Sequence, residues 1–389
     1  MRASGQANEA EVPFGIEEIF FSRTDVRGVI QAGNAVFQRV SGFSWDALIN
    51  APHKLVRHGQ MPSALFHLMW ERIKAGQPTG AYICNSSADG RHYWVFAVVL
   101  PLADGFLSVS VKPTTPLLDK VKGIYEGLRQ AEAAGRSAQD SAEDLVAELS
   151  RAGFPRYDSF QARALATEVL QRLGQMGRRA GTRTDSLLAA EAADGIAIEL
   201  GGMQAMFTEA LRIALNLRIA ASQLGELGRP VSAISDNYAL LANDMVSWLN
   251  TRALNENEGF GSIARLVSEN LFLRNARDLL SEMSDTFARE AKSDRVDAEG
   301  EKTRLVALVS QYALKAQDCQ ERAMQEAATV TGHLAEMRNH VTALNSIRML
   351  CRIEGATLRH TGVSLDEIGR RLLRITTLGQ KVHWATSTS

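Results

Sequence analysis

The hydrophobic pattern changes character about a third of the way along the chain. Before residue 116, short apolar runs alternate with turn residues. The runs lie at Glu18–Asp25, Val29–Ala32, Gly80–Asn85, His92–Leu100 and Gly105–Val111. Short runs bounded by turn signals are typical of β-strands. We therefore predict two strands and then three, with Ala88-Asp89-Gly90 as the hairpin turn between the third and the fourth.

Helical signals separate the two groups of strands. Asn34 is suited to cap a short helix that Gly42 ends. Pro62 stands at the first turn of a second helix, which ends at Gly76. The apolar face of that helix comprises Leu65, Leu68, Met69 and Ile73. The pattern predicts an α+β domain in which two strands, several short helices and three further strands follow one another.

The rest of the chain has a helical pattern throughout. Seven of the nine prolines lie in the first 116 residues, and none follows Pro230. Proline blocks the interior of a helix, so its absence favours long helices. Apolar residues recur at helical spacing along three stretches, at Ile263–Phe287, Leu305–Ala323 and Val330–Ile347. We predict a disordered tail at 1–13, the α+β domain at 14–113, and an all-α bundle or coiled-coil-like region at 114–389.

Composition and charge narrow the range of functions. The 43 Lys and Arg residues balance 44 Asp and Glu residues, which gives a net charge of −1. A chain this balanced has no general attraction for nucleic acid or for an anionic membrane. No apolar stretch reaches the 18 residues of a membrane helix, and the N-terminus lacks the apolar core of a signal peptide. Three separated cysteines form no metal motif. We expect a cytoplasmic protein without a metal site.

One cluster of motifs in the first domain has a specific likeness. Together with the order of strands and helices, it resembles the PAS sensor domain of bacterial aerotaxis receptors over about residues 14–113. The matching residues are Asn34, Phe37, Ser41-Gly42, Pro52-His53, Val56-Arg57-His58, Met61-Pro62, Phe66, Met69-Trp70, Asn85, Gly90 and His92-Tyr93-Trp94-Val95. The family usually reads Pro-Asp where this chain has Gly59-Gln60.

The resemblance implies a five-stranded antiparallel sheet with short helices. It also implies a pocket that holds flavin adenine dinucleotide (FAD), whose redox state reports oxygen or reducing power. Arg57 and His58 would pair with phosphates or ring oxygens, Trp70 would stack on the ring, and Asn34 or Asn85 would bond its edge. The residues carried over as cofactor-binding are Asn34, Arg57, His58, Trp70, Asn85, His92 and Trp94. Haem bound through His53, His58 or His67 is an alternative, and so is a domain without a cofactor.

A second likeness lies in the helical region. Ala214–Ala242 resembles, without a gap, the hairpin tip of methyl-accepting chemotaxis proteins. That tip docks a histidine kinase and its coupling protein, so the resemblance implies partner contacts. The residues carried over as partner-binding are Leu215, Asn216, Ile219, Glu226 and Arg229. Charged residues that the family places before the turn are replaced here by Ala220 and Gln223, and Pro230 replaces a glycine.

No catalytic signature accompanies these motifs. The chain lacks a phosphate-binding loop, a nucleophile elbow and a zinc-protease motif. We therefore expect a non-enzymatic signal transducer that senses oxygen, redox state or a small ligand through the PAS pocket. The amphipathic helices predict a homodimer. The main alternative is a cofactor-free scaffold for protein–protein interaction, and a flavin-dependent oxidoreductase is a more distant one.

Overall fold

The computed structural model describes residues 10–359 except 224, 256, 288 and 291–295. The chain divides into two units. One comprises Met1–Glu191 and Val267–Gln320, and the other comprises Ala192–Leu266 and Glu321–Ser389. The first unit contains the sheet and several helices. The second unit is helical in the part described.

The sheet has five antiparallel strands in the order β2-β1-β5-β4-β3. The strands are β1 (Ile19–Asp25), β2 (Ile30–Gly33), β3 (Thr79–Ser86), β4 (His92–Leu102) and β5 (Gly105–Val111). The predicted strands differ from these by at most two residues at either end. The fold class predicted from the sequence, a PAS sheet followed by a helical region, is confirmed.

Short helices connect β2 to β3. They are α1 (Ala35–Ser41), α2 (Trp45–Leu48), a 3₁₀ turn at His53–Val56, and α3 (Ser63–Lys74). The Asn34 side chain accepts a hydrogen bond from the Phe37 amide and caps α1, because an amide oxygen can satisfy a free N–H group in the first turn. Gly42 ends α1 in the left-handed region, with φ of +70°.

Longer helices follow the sheet. They are α4 (Leu117–Ala133), α5 (Ala138–Arg151), α6 (Tyr157–Gln175), α7 (Arg183–Gln223), α8 (Arg229–Trp248), α9 (Gly259–Phe287) and α10 (Ala298–Arg359). A 3₁₀ turn at Gly225–Gly228 separates α7 from α8, and a π turn at Leu249–Ala253 follows α8.

Helices cover one face of the sheet within the first unit. The Phe21 ring lies edge-on to Phe287 of α9, with 5.0 Å between ring centroids. The Tyr82 ring lies 6.3 Å from Phe160 of α6. Because successive strand residues point to opposite faces, the alternate residues of β1 and β3 remain for the other face. The first unit therefore includes helices from the predicted helical region at 114–389 as well as the sheet.

Glu168 of α6 joins that helix to the sheet and to the segment that leaves it. Its carboxylate is fully buried and accepts hydrogen bonds from Tyr82 Oη at 2.8 Å and Thr115 Oγ1 at 2.6 Å. It also accepts from the Thr114 and Thr115 amides, at 2.7 and 3.4 Å. The end of β5, the edge strand β3 and α6 thus meet at one side chain.

Arg172, one turn further along α6, makes a second polar joint. Its guanidinium is 2% exposed and pairs with both carboxylate oxygens of Glu282 in α9, at 2.7 and 2.9 Å. It also donates to the Ile16 and Glu17 carbonyl oxygens, at 2.7 and 2.9 Å. The arginine therefore ties the chain that enters β1 to two helices.

The chain reverses in the second unit where the sequence predicts a hairpin. Arg218 of α7 pairs with Asp236 of α8 at 3.5 Å, and the Gln204 amide bonds Asn250. These pairings run in opposite chain directions, so the two helices are antiparallel. A Cβ atom at Gly228 would lie 1.9 Å from the Ala221 carbonyl oxygen, so only glycine fits this close approach.

The beginning of the described chain is attached to the sheet. Residues 10–13 belong to the predicted disordered tail, yet Glu11 forms a β-bridge with His92 and Val12 is 6% exposed. Residues 1–9 of that predicted tail lie outside the described residues. Among the helices of the described ranges, none combines the length and apolar character needed to cross a membrane.

Candidate functional site

A cavity of about 320 Å³, here called the PAS cavity, lies on the face of the sheet opposite to α6 and α9. This volume is at the lower end of the range of about 300–1,000 Å³ for small-molecule sites. Its lining comprises Phe20, Ser22, Thr24, Arg27, Gly28, Phe37, Pro52, His53, Lys54, Arg57, Phe66, Met69, Trp70, Ile73, Ile83, Asn85, Tyr93, Val95, Ala97, Val99, Phe106, Ser108 and Ser110. The pocket that the resemblance implies is therefore present.

Aromatic rings give the PAS cavity flat apolar walls. Trp70 of α3 lies edge-on to Phe106 of β5, with 5.3 Å between centroids. The Phe37 and His53 rings stack at 6.0 Å with an interplanar angle of 8°. Gly28, with φ of +76°, allows the β1–β2 turn to approach Trp70, because a Cβ there would lie 3.2 Å from the indole. Such walls suit a planar ligand.

Arg57 and Asn85 reach the cavity together although they are far apart in sequence. Their backbones form an antiparallel bridge at the edge of β3, which fixes their side chains beside each other. The Arg57 guanidinium lies 3.7 Å from the centroid of the Phe66 ring and donates to the Met61 carbonyl oxygen at 3.4 Å. Partial burial lowers the pKa of Arg57, but the guanidinium remains a cation at every physiological pH.

The charged residues that line the PAS cavity all have the same sign. Its lining includes Arg27, Lys54 and Arg57, whereas none of its lining residues is Asp or Glu. Pro52 and Lys54 are exposed, so the opening of the cavity lies on that side. A ligand larger than the cavity would extend through this basic opening. The arrangement favours a molecule with a planar apolar part inside and an anionic part near the opening.

One buried polar atom in the wall lacks a partner. Tyr93 is fully buried, and its hydroxyl has no hydrogen-bond partner among the described residues. Burial raises the pKa of this phenol well above its ordinary value, so it is a neutral donor. A buried unpaired hydroxyl costs roughly 1–3 kcal/mol. A ligand with hydrogen-bonding atoms at the ring edge, such as a flavin, fits this lining.

Of the seven residues carried over from the resemblance as cofactor-binding, three line the cavity: Arg57, Trp70 and Asn85. Asn34 is 1% exposed, and its amide holds the backbone instead. It accepts from the Phe21 amide at 3.0 Å and donates to the Ile19 carbonyl oxygen at 2.8 Å. Its amide nitrogen also donates to Glu290 Oε1 at 3.0 Å. These bonds occupy the side chain.

His58, His92 and Trp94 also lie outside the cavity lining. The His58 and His92 rings are 5.9 Å apart, and burial together with the nearby His92 lowers the pKa of His58. His58 Nδ1 accepts from the Gln60 amide at 3.3 Å. Trp94 lies on the other face of β4, under the Lys122 ammonium at 5.3 Å. The three side chains support the loop and the sheet around the cavity.

The three histidines considered as haem ligands are not gathered at one place. His53 lines the cavity, whereas His58 does not and His67 is exposed. His53 Nε2 lies 3.1 Å from Ser22 Oγ, so this nitrogen already has a hydrogen-bond partner. Across the described chain, no group of three or more His, Cys, Asp or Glu side chains is placed to hold a metal ion.

Small polar residues of the sheet were missed by sequence reasoning. Ser22, Thr24, Ser108 and Ser110 all face the cavity. In β1 and in β5 the two small polar residues are two positions apart, and that spacing places both on the same face of the strand. The signal was thus in the sequence: alternate small polar residues in an apolar strand mark the face that lines a cavity.

We expect His53 to make the stability of the first unit depend on pH. Removal from bulk water lowers the pKa of His53 from 6.5 to about 4. The unfolded chain therefore binds a proton between these values and the folded chain does not. The contribution of His53 to the free energy of unfolding is therefore fully present above about pH 6.5, and it is lost as the pH decreases toward 4. Between pH 7.5 and pH 5, His53 contributes a loss of roughly 2 kcal/mol.

Urea denaturation at both pH values measures this effect. Between pH 7.5 and pH 5, the free energy of unfolding of the wild type should fall by about 2 kcal/mol more than that of His53→Gln. His58 titrates in both proteins and cancels in the comparison. An equal loss in the two proteins would show that His53 is not held neutral by its surroundings.

The residues carried over as partner-binding lie on the surface of the second unit. Leu215 and Ile219 of α7 are 58% and 51% exposed, although both are apolar, and Asn216 beside them is also exposed. Glu226 and Arg229 form an ion pair at 2.8 Å in the turn, with both side chains more than three quarters exposed. The hairpin therefore presents these five residues to solvent.

Comparison with curated proteins finds two kinds of relative. The aerotaxis receptor of Escherichia coli K12 is 30% identical over 151 residues, which are 38% of this chain and 29% of that protein. The nitrogen fixation regulatory protein of Klebsiella pneumoniae is 30% identical over 84 residues, 22% of this chain and 17% of that protein. The chain thus spans less than a third of the length of these relatives. No family model matches it.

Comparison with solved structures finds PAS and LOV domains. A PAS domain from Colwellia psychrerythraea is 21% identical and covers 25% of this chain and 86% of its own, with a TM-score of 0.22. The dark structure of the Aureochrome1 LOV photoreceptor is 17% identical and covers 28% of this chain and 85% of its own, with a TM-score of 0.25. Together with the sequence match, the sheet confirms the resemblance of the PAS region to aerotaxis receptors.

Proposed function

We propose that the protein is a PAS-containing signal transducer that binds a flavin in the PAS cavity, and that this flavin is FAD. It would sense oxygen, redox state or a small ligand there and pass the change to its helical region. The observation that carries the proposal is the cavity itself, with its aromatic walls, basic opening and unpaired Tyr93 hydroxyl. The relatives named as an aerotaxis receptor and a nitrogen fixation regulatory protein support it.

A bound flavin supplies reversible redox chemistry, and the residues of the cavity set its surroundings. Trp70 would pack against the ring. Asn85 and Tyr93 would bond its polar edge. Arg57 and Lys54 would neutralise phosphate oxygens near the opening, because cationic side chains pair strongly with phosphate. His53, held neutral, would add no charge beside the ring. No step requires a catalytic base, and we propose that the protein is not an enzyme.

Absorbance of the purified protein tests the proposal. We expect flavin bands after reconstitution with FAD, and about tenfold weaker binding by Trp70→Ala, because ring contacts contribute roughly 0.5–1.5 kcal/mol beyond the area that they bury. Trp94→Ala is the matched control, since Trp94 lies on the other face of β4, and its affinity should stay within twofold of wild type.

Two outcomes would contradict this function. A folded protein that takes up no flavin on reconstitution would leave the cofactor-free scaffold as the explanation. Equal weakening by Trp70→Ala and Trp94→Ala would show that binding follows general stability and not the cavity wall. Circular dichroism of both variants establishes that they are folded before affinity is compared.

We extend the proposal to partners of the hairpin formed by α7 and α8. Leu215 and Ile219 are both exposed and lie one turn apart on the same face of α7, so together they form an apolar patch of the kind that marks a protein contact. A homodimer, a chemotaxis histidine kinase and its coupling protein are the proposed partners. Sedimentation of the purified chain alone and with each protein tests them, and a monomer that binds neither protein would remove this extension.

A further inference from the structure

Helix α3 forms one wall of the PAS cavity and is held at both ends by the helical region. At its C-terminal end, Arg72 forms an ion pair with Asp158 of α6 and lies 5.3 Å from the Tyr157 ring. At its N-terminal end, the Glu132 carboxylate of α4 accepts from the Ser63 and Ala64 amides, each at 2.8 Å. The cavity wall thus has two carboxylate attachments outside the PAS domain.

The Glu132 contact replaces a cap that α3 itself does not supply. Pro62 is the N-cap residue and makes no side-chain hydrogen bond. The free N–H groups of the first turn therefore need an outside acceptor, and a carboxylate is favoured there by the partial positive charge of a helix N-terminus. Glu132 stands in the last turn of α4, 69 residues from Ser63.

Glu132 also acts on a cationic residue of the cavity lining. Both groups lie at the start of α3, because Arg57 donates to the Met61 carbonyl oxygen at 3.4 Å and Glu132 accepts from the Ser63 amide. Burial lowers the pKa of Arg57, and the negative charge of Glu132 opposes that lowering. Arg57 is bound to α3 through its contact with the Phe66 ring. An anionic ligand group at Arg57 would repel the Glu132 carboxylate, because both carry negative charge, and the two groups would compete for the same cation.

We propose that Glu132 couples the PAS cavity to the helical region, because it holds the start of α3 and competes with an anionic ligand group for Arg57. A phosphate-bearing ligand then weakens the Glu132 contact and frees the end of α4, whereas the same ligand without phosphate leaves the contact in place. This inference rests on the proposed flavin function and names the part of the ligand that the helices sense.

Riboflavin and its monophosphate, FMN, form a matched pair of probes that differ by one phosphate. We expect Glu132→Gln to bind FMN three- to tenfold more tightly than the wild type and riboflavin within twofold. Glu126→Gln is the control, since Glu126 is an exposed acid on the same helix that pairs with Arg129. Its affinities for both probes should match the wild type.

Hydrogen exchange over residues 61–66 of the full chain gives a second readout. In the ligand-free protein, Glu132→Ala should exchange these amides about tenfold faster than wild type and Glu126→Ala should not. In the wild type, saturating FMN should speed this exchange and riboflavin should not.

The inference and the proposed function fail in different ways. Binding of both probes with an equal change in Glu132→Gln would overturn the competition, as would unchanged exchange in the presence of FMN. Unchanged exchange in ligand-free Glu132→Ala would overturn the attachment itself. Failure of FAD, FMN and riboflavin alike to bind any of the proteins would instead overturn the proposed flavin function, and the competition with it. Binding of FAD but of neither probe would overturn the competition alone. In both cases the exchange of the ligand-free variants still decides the attachment.

Discussion

Glu168→Ala should lower the free energy of unfolding of the full chain by about 4 kcal/mol, because it leaves buried donors without an acceptor. The lost partners would be Tyr82 Oη, Thr115 Oγ1 and the amides of Thr114 and Thr115. A buried unpaired donor costs roughly 1–3 kcal/mol, and a new cavity adds to the loss. Water entering that cavity would recover part of this energy, which keeps the sum near 4 kcal/mol.

Equilibrium urea denaturation followed by circular dichroism measures this loss. Gln171→Ala is the matched control on the same helix, since Gln171 is exposed, and it should change the free energy of unfolding by less than about 0.5 kcal/mol. Glu168→Gln should lose about 2 kcal/mol, because an amide keeps one acceptor oxygen. A loss below about 1 kcal/mol for Glu168→Ala would mean that the four hydrogen bonds do not hold α6 to the sheet.

Local signals explain how much of the fold could be predicted. The cap at Asn34 and the proline before α3 are each read within a few residues of chain. The five strands follow from short apolar runs between turns. The helical cover of the sheet could not be predicted in this way, because an amphipathic stripe indicates that a helix buries one face but not against what. Phe287 therefore gave no sign that it packs on Phe21.

The candidate site divides along the same line. Arg57 and Asn85 came from the resemblance, but their backbone bridge is a long-range contact. The strand pattern alone could have shown that Trp94 does not share a face with Tyr93 and Val95, because successive strand residues point to opposite faces. Trp94 therefore cannot line the cavity together with them. The hydrogen bond from Asn34 to Glu290 could not be predicted, since Glu290 lies 256 residues further along the chain.

The covered face of the sheet gives the proposed signal a defined set of contacts. Ile83 and Asn85 of β3 line the cavity. Tyr82 of the same strand points to the other face, where its hydroxyl donates to Glu168 of α6. The Gly80 amide donates to Gln161 Oε1 at 3.0 Å, and Tyr157 Oη donates to the Gly80 carbonyl oxygen at 2.9 Å. A displacement of β3 by a ligand would therefore reach α6 through these bonds.

We expect Arg172→Ala to lower the free energy of unfolding by about 3 kcal/mol. Breaking a buried ion pair by removing one partner typically costs about 3–5 kcal/mol. Glu282 is a quarter exposed, so water can hydrate its freed carboxylate, and the loss falls at the lower end. The Ile16 and Glu17 carbonyl oxygens also lose their donor.

Arg178→Ala is a matched control for this change, because Arg178 approaches the same Glu282 at 3.4 Å but is 54% exposed. Exposed pairs contribute little, so we expect a loss below about 0.5 kcal/mol. Arg172→Lys should recover less than half of the Arg172→Ala loss, since an ammonium cannot make the bidentate contact of a guanidinium.

A double-mutant cycle of Arg172→Ala with Glu282→Ala should give a coupling energy of about 2 kcal/mol. Additive losses would show instead that Arg172 acts by packing and by its bonds to the two carbonyl groups, and that α6 and α9 are not joined by this pair.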